Sequence, residues 1–245
     1  MKNDPYIVAA FLKAQDRDQW TSADGTNPIV TISRQHGTEG EQIAMRTAEI
    51  LTDLSHGRRP WIAIDKNMAE QVINHHHLPR DVASFLTEEQ TGSIQDYINE
   101  LFDVGVPAWT LVEKMTQTIL HLAKIGHVVL LGRAAHLITA GFPRAAHVRI
   151  IGSFKRRVER IMAAKSCSRD VAEHEIKEVD GRRRKFVSTY FHVDLDDPGQ
   201  FDLVFNADRI SVEETAHLIA KLVDSPDFRK KEAHHFAELR HQVLG

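Results

Sequence analysis

The stretch "ISRQHGTEGEQIAMRTAEIL", residues 32–51, decides the fold of this chain of 245 residues. An apolar run leads into it, Gly37 and Gly40 interrupt it, and a segment with helical apolar spacing follows. In a nucleotide-binding loop, glycines let the backbone curl so that successive N–H groups point at phosphate oxygens, while the next helix adds its positive end. The stretch therefore predicts a phosphate-binding loop between a strand and a helix.

The predicted loop departs from the usual pattern in its charge. The Walker pattern, GxxxxGK followed by Ser or Thr, places a lysine and a hydroxyl where the helix begins. Gly40, Glu41 and Gln42 supply neither, and the Glu41 carboxylate favours the helix dipole but repels a phosphate at the same place. The loop alone leaves open a simple glycine turn with a carboxylate cap. A phosphate bound here must find its cation elsewhere in the chain.

Short apolar runs recur along the chain between segments of helical period. Runs without strict alternation indicate strands that are covered on both faces, as in a parallel sheet. Strand, helix, strand in repeated order predicts an α/β sandwich with right-handed crossovers. The runs are PIVTI (28–32), WIAI (61–64), VVLL (128–131), HVRII (147–151) and FDLVF (201–205).

Three segments depart from this rhythm and set the expected organisation. Residues 66–108 form a long polar helical excursion, which in an α/β enzyme suits a substrate-binding insertion at the carboxyl end of a strand. Residues 225–245 have the spacing of a terminal amphipathic helix, and residues 1–27 form an N-terminal extension. We therefore expect one main domain over residues 28–224.

Composition limits the function classes. A net charge of -3 gives no global case for binding nucleic acid or an anionic membrane. The single cysteine, Cys167, can form neither an intramolecular disulfide nor a CxxC zinc motif, which agrees with a reducing compartment. The N-terminal apolar patch of about six residues is too short to span a bilayer, so we expect a cytoplasmic protein. Adjacent histidines at 75–77 diverge on a helix and predict no metal site.

Five segments in order resemble the cytidylate kinase-like family, a branch of the P-loop nucleoside monophosphate kinases. The resemblance covers about residues 28–223 and implies a three-layer P-loop sandwich of the nucleoside monophosphate kinase type. Its five-stranded parallel sheet would carry a helical acceptor-side insertion at 66–108 and a lid at about 178–198. The segments are ISRQHGTEGEQIA, VVLLGRAAHLI, HVRIIGSFKRRVERIM, VDGRRRKFVSTYFHVDLDDP and FDLVFNADRISVEETAHLI.

The resemblance marks arginines that supply charge around the loop. Members of the branch often lack the Walker lysine and carry an arginine where this chain has Glu41. Arg34 matches the arginine of the family's SRxxG, Arg133 matches the Gly-Arg pair that contacts the acceptor phosphate, and Arg183 matches an arginine of the lid. We expect these three arginines to act in catalysis. Arg183 lies in a basic run that an exposed patch would also explain.

Binding roles follow from the same resemblance. Asp65, after the second strand, is expected to face the acceptor together with Arg133, although a helix cap is an equal alternative for it. Ala134 and Leu131 stand where cytidylate kinases often carry carboxylates. The residues expected to hold the donor nucleotide are Gly37, Thr38, Glu39, Gly40, Glu41, Gln42, Arg157 and Arg160.

These expectations add up to an ATP-dependent nucleotide kinase. The resemblance implies ATP and Mg²⁺ as cofactors and a nucleoside monophosphate or related small molecule as acceptor, and it leaves homo-oligomerisation open. The alternative is a nucleotide-binding module without efficient turnover. The basic residues of "FKRRVERIM" also fit the solvated face of an amphipathic helix.

Overall fold

The structure, a computed structural model, describes residues 27–64 and 108–225 together with Phe228. Within these ranges, no helix combines the length and the apolar character that crossing a bilayer requires. Several expectations fall outside the described residues: most of the N-terminal extension 1–27, nearly all of the insertion 66–108, Asp65, the histidines 75–77 and most of the tail 225–245.

Five strands and six α-helices alternate along the described chain. Serine side chains cap α4, α5 and α6 by accepting a hydrogen bond from a backbone N–H of the first turn. The elements are β1 (Ile29–Arg34), α1 (Gly40–Leu54), β2 (Ile62–Ile64), α2 (Ala108–Ile125), β3 (Val128–Leu131), α3 (Ala135–Ile138), β4 (Ala145–Ile151), α4 (Phe154–Lys165), α5 (Arg169–Phe191), a 3₁₀ turn (Pro198–Gln200), β5 (Leu203–Asn206) and α6 (Val212–Asp224).

The strands form one parallel sheet in the order β2, β3, β1, β4, β5. Ile29 at the start of β1 lies opposite Val128 of β3 and Ala145 of β4. The central position of β1 brings the carboxyl ends of β3, β1 and β4 side by side, where open α/β sheets bind ligands. The predicted five-stranded parallel sheet is therefore confirmed.

Helices α1 and α6 cover one face of the sheet. Val30, Ile32 and Val148 of the strands are almost completely buried against them. The apolar face predicted for α1 is confirmed, since Ile43, Ala44, Ala48 and Leu51 are all buried. This face forms the larger of the cores, and it fixes the direction in which α1 leaves the glycines.

Helix α2 and the second half of α5 cover the opposite face. Met115 and Ile119 of α2 are buried with Val128 and Leu130 of β3, and Phe186 of α5 packs against the same cluster. Two helical layers thus enclose the sheet, and the predicted three-layer sandwich is confirmed. Helix α4 and the first half of α5 pack on each other through a separate small cluster around Val158 and Ile176.

Helix α4 differs from its expected face. Phe154, although apolar, is 37% exposed, whereas Arg157, from the basic run that also fits a solvated face, is buried. The reason is that Phe154 begins the helix, so its ring lies beside the guanidinium of Arg157 and the ammonium of Lys177 instead of in the core.

Candidate functional site

The glycine loop, residues 35–42, joins β1 to α1 with a backbone of alternating handedness. Gly37 has φ +80° and Glu39 has φ +58°, and the Thr38 hydroxyl closes the turn by donating to the Gln35 carbonyl at 2.8 Å. In the described part of the chain, the backbone N–H groups of residues 37–42 have no protein acceptor. Consecutive amides of this kind at a helix start form a concave site for an anion.

The Arg34 side chain crosses this loop from the end of β1. A Cβ atom at Gly40 would lie 2.9 Å from Arg34 Cγ, and one at Gly132 would lie 2.2 Å from Arg34 Nη1. At Gly40 the close atom belongs to the stem of Arg34, and at Gly132 it is the tip of its flexible side chain, so a Cβ atom at either position would force Arg34 to shift. The stem of Arg34 therefore lies against the start of α1, and its guanidinium lies at the turn that follows β3.

Arg133 lies in that turn, in a strained backbone. Gly132, Arg133 and Ala134 have φ values of +81°, +58° and +52° in succession. A left-handed conformation costs a residue with a Cβ atom roughly 1–2 kcal/mol. Strain of this kind persists where the surrounding structure imposes it, often at functional sites. The turn places Arg133 directly after the glycine that Arg34 contacts.

Arg183 reaches the same place from α5. Its Nη1 donates to the Arg34 carbonyl at 3.0 Å. The structure therefore joins Arg183 to Arg34 at the carboxyl end of β1 and places the backbone of Arg133 in the adjacent turn; these are the three arginines for which the family resemblance predicts catalytic roles. Of the segment predicted as a lid, residues 178–191 lie in the continuous helix α5, and residues 192–198 follow that helix.

Arg157 lies beneath the loop with its charge paired. Its Nη1 is 2.5 Å from Asp180 Oδ2, and both side chains are only 8% exposed. The same guanidinium donates to the carbonyls of His36 and Gly152, each at 3.1 Å. Arg157 thus supports the loop backbone in this structure, which the interpretation of its basic run as a solvated face did not predict.

Arg160 lies on the outer side of the loop and also has acidic partners. Its guanidinium is 3.2 Å from the Glu39 carboxylate and 3.3 Å from that of Asp208, and it donates to the Ala207 carbonyl at 2.7 Å. The loop after β5 is thereby linked to the glycine loop. A donor nucleotide that used Arg160 would compete with Glu39 for it.

His36 makes a further contact between the loop and α5. Its Nε2 is 2.6 Å from Glu175 Oε1, and Glu175 also accepts from Lys165 at 2.9 Å. Burial lowers the pKa of His36 from its ordinary value, against the opposing effect of Glu175. Because a carboxylate only accepts hydrogen bonds, the imidazole donates its Nε2 proton to it.

The comparisons with known proteins agree with this architecture. A model of the cytidylate kinase-like family matches residues 29–209. The chain belongs to this family. A protein named cytidylate kinase from Methanocaldococcus jannaschii is 23% identical over 160 residues, which cover 64% of this chain and 90% of that protein.

A solved structure shares the fold. The crystal structure of an uncharacterised protein from Eubacterium ventriosum superimposes with a TM-score of 0.57 at 17% identity. The match covers 81% of this chain and 99% of that one. The likeness supports the three-layer sandwich and carries no information on the reaction.

Within the cytidylate kinase-like fold, the acidic residue at the helix start lies on the exposed surface. Glu41 is exposed on the first turn of α1, and no hydrogen bond or ion pair of its carboxylate occurs among the described residues. Gln42, the next residue, is also exposed. The start of α1 is thus open to solvent above the loop amides.

One charged residue of the cytidylate kinase-like core was missed by reasoning from the sequence. Arg149 of β4 is 4% exposed, donates to Ser33 Oγ at 2.7 Å and pairs with Asp196 at 2.5 Å. With Gln35 and Phe201 it lines an open groove of about 560 Å³ beside the loop. The signal was an arginine inside the apolar run HVRII, since arginine is rarely buried without a partner.

Proposed function

We propose that the chain is an ATP-dependent phosphotransferase of the nucleotide kinase type. The observation that carries the proposal is the Arg34 side chain, which passes Gly40 and reaches Gly132, beside amides that have no protein acceptor in the described chain. The Arg34 guanidinium thus supplies a positive charge beside a loop that lacks the Walker lysine. Family membership supports the same reaction class.

The donor triphosphate would lie on the glycine loop. ATP with Mg²⁺ supplies the phosphoryl group and part of the charge neutralisation. The backbone N–H groups of residues 37–42 would donate hydrogen bonds to the phosphate oxygens, and the Arg34 fork would neutralise the terminal phosphates. Because Arg34 Nη1 lies at Gly132, the charge is held where the donor and acceptor phosphates would meet.

Arg133 would bind the phosphate of the acceptor, and Arg183 would stabilise the migrating charge. An oxygen of the acceptor phosphate forms a bond to the γ phosphorus while the bond from that phosphorus to the β–γ bridging oxygen breaks, leaving ADP and a nucleoside diphosphate. Such catalysis rests mostly on positioning and electrostatics. The name of the Methanocaldococcus jannaschii relative is the reason to propose a pyrimidine nucleoside monophosphate as acceptor.

A second candidate is a nucleotide-binding module without efficient turnover. The observation that favours it is the pairing of Arg160 with two carboxylates, one of which, Glu39, belongs to the loop itself. A cation already neutralised by the protein contributes less to a transition state. Under this hypothesis the loop binds ATP but the site does not transfer the phosphoryl group.

Incubation of the purified protein with MgATP and each common nucleoside monophosphate distinguishes the two candidates. We expect a nucleoside diphosphate to form with at least one acceptor. Arg133→Ala should lower its rate by about a hundredfold, the order seen on losing one electrostatic contact to a transition state. Arg46→Ala, which removes an exposed arginine of α1 paired with Glu213, serves as the control. MgATP binding without product across the panel would favour the second candidate.

A further inference from the structure

Asp180 is a buried carboxylate in the middle of α5 whose two oxygens have different partners. Oδ1 accepts the backbone N–H of His36 at 2.8 Å, and Oδ2 accepts Arg157 Nη1 at 2.5 Å. Arg183 lies at 3.7 Å on the first oxygen. The residue is 6% exposed, so these protein groups replace its water shell.

The Asp180 and Arg157 pair holds the His36 residue from both sides. The carboxylate accepts the His36 N–H, and the guanidinium donates to the His36 carbonyl at 3.1 Å. Gly37 follows at once with φ +80°, and a Cβ atom there would lie 3.0 Å from the Arg157 carbonyl. The path of the loop at residues 36–37 is therefore imposed by α4 and α5 before any ligand arrives.

The anion that accepts the His36 amide is a side chain of the protein, whereas the amides from Gly37 to Gln42 have no acceptor among the described residues. Asp180 takes the N–H of His36, and the unpaired series in the described chain begins at Gly37. A fixed first residue orients the amides after it, because each peptide plane constrains the next one. Preorganised donors need no rearrangement when a charged ligand binds.

Helix α5 is also joined to the loop at a second point two residues earlier. Arg183, three residues after Asp180, donates to the Arg34 carbonyl at 3.0 Å. The arginine proposed to stabilise the migrating charge and the carboxylate that fixes the loop are thus carried by one helical turn. Displacing α5 would disturb the loop and Arg183 together.

We propose that Asp180 is a positioning residue: shared between the His36 amide and Arg157, it holds the glycine loop in the curled form that presents the amides of residues 37–42 to the donor phosphates. The role of the loop rests on the proposed function, whereas the holding contact itself does not. A purely structural role would affect both substrates alike, while a positioning role affects the donor.

Asp180→Asn tests the proposal because it keeps the shape and one acceptor but removes the charge that pairs with Arg157. Without nucleotide, hydrogen exchange of the His36 amide, which donates to Asp180, should rise by about tenfold, an opening cost equal to one typical net hydrogen bond. Glu178→Gln is the matched control, since Glu178 lies on the same helix and pairs with Arg182 at its surface. Its loop exchange should equal that of the wild type.

Nucleotide readouts complete the experiment. In Asp180→Asn, the Kd and KM for MgATP should rise by about tenfold, while the KM of the acceptor stays within about twofold, since only the donor loop is released. Unchanged loop exchange, or an equal rise in both KM values, would overturn the proposal. If the wild type binds no MgATP, the proposed function fails, and the exchange comparison still decides the role of Asp180.

A second variant covers the case in which Asp180→Asn does not fold. Removing one partner of a buried pair often destabilises strongly. Arg157→Lys keeps a cation beside Asp180 but loses the planar fork that also reaches the carbonyls of His36 and Gly152. The same rise in loop exchange is expected, and a loop as protected as that of the wild type would contradict the proposal.

Discussion

Gly132 is the residue whose missing side chain gives Arg34 its place. A Cβ atom at Gly132 would lie 2.2 Å from Arg34 Nη1, whereas one at Gly57, which has a similar φ of +69°, meets nothing within 4 Å. A side chain added at either glycine would carry the cost of a left-handed backbone. Only a side chain at Gly132 would also displace Arg34.

Gly132→Ala and Gly57→Ala should thus differ more in their affinity for MgATP than in their free energy of unfolding. Each should lose about 1 kcal/mol of unfolding free energy from the strained φ. Only Gly132→Ala should also weaken MgATP binding, by about tenfold, because a charge-assisted contact is worth about 1.5 kcal/mol or more. Thermal unfolding and calorimetric titration measure both quantities. Equal MgATP affinity in the two variants would show that Arg34 does not act from this position.

Glu41 places a negative charge at the start of α1, above the open loop amides. Glu41→Arg should tighten MgATP binding, because it removes a repulsive carboxylate and adds a cation where the family usually has one. An exposed charge near a helix end contributes about 0.3–1 kcal/mol, so we expect a two- to fivefold gain. Asp53→Arg makes the same change of charge near the other end of α1 and should have no effect on a titration at low salt. An unaltered affinity in Glu41→Arg would mean that this side chain faces away from the ligand.

The residue scale also shows what the sequence could predict. Arg34 and Arg133 were identifiable because each follows an apolar strand, at the edge where parallel sheets bind ligands. The burial of Arg157 was not identifiable, since its partner Asp180 lies on another helix and the local run FKRRVERIM has the composition of a solvated face. Contacts between distant segments that neutralise a charge leave no local pattern.

Among the elements, α6 has the most complete local signal. Ser211 Oγ accepts the Glu214 N–H at 3.2 Å, and the Glu214 carboxylate accepts the Ser211 N–H at 3.1 Å, which together form a capping box. The helix packs on α1 through Ala216 and Ile219, on the face of the sheet core. Helix α6 therefore helps to hold α1 in its orientation, although α6 does not contact the described loop amides.

Ser211→Ala should lower the free energy of unfolding by about 1 kcal/mol, the usual value of an N-cap. MgATP affinity should remain that of the wild type. Ser188→Ala is the control, because its hydroxyl donates only to the Lys185 carbonyl on an exposed helix surface, and it should change stability by less than about 0.5 kcal/mol. Urea denaturation distinguishes the two. A Ser211→Ala protein as stable as the control would contradict the capping box.

The strands were the elements that the sequence predicted best. Five apolar runs became five parallel strands because burial on both faces demands continuous apolar residues. Their ends shifted by a few residues: β5 begins at Leu203 instead of Phe201, since the Phe201 ring stacks on His136 outside the sheet. The length of α5 was not anticipated either, because the family resemblance implied a lid at about residues 178–198.

At the scale of the whole molecule, buried histidines predict how stability depends on pH. Burial lowers the pKa of His127 to about 4 and that of His136 to about 3. In the unfolded chain both histidines bind a proton below the ordinary histidine pKa of 6.5. The free energy of unfolding is therefore highest above pH 6.5 and falls as the pH drops toward the folded pKa values.

Between pH 6.5 and pH 5, each of these histidines should remove up to about 1.4 kcal/mol of unfolding free energy per pH unit. Urea denaturation at intervals of half a pH unit measures the slope. His136→Phe keeps an aromatic ring against Phe201 and should reduce the slope by the share of one histidine, whereas His217→Phe, at an exposed site, should not. A stability that stays constant from pH 6.5 to pH 5 would contradict the burial of both rings.

The whole molecule combines a parallel sheet of the nucleotide kinase type with a glycine loop that lacks its own lysine. The cation beside this loop is Arg34, at the end of the preceding strand. Arg34 is the residue on which this interpretation depends. Among the described contacts of Gly40 and Gly132, its side chain is the one that reaches both glycines. A calorimetric titration of MgATP into the wild type, Arg34→Ala and Arg46→Ala tests it most directly. We predict saturable binding to the wild type, the same affinity in Arg46→Ala, and an affinity lower by about tenfold or more in Arg34→Ala. Equal binding to Arg34→Ala and the wild type would contradict the account.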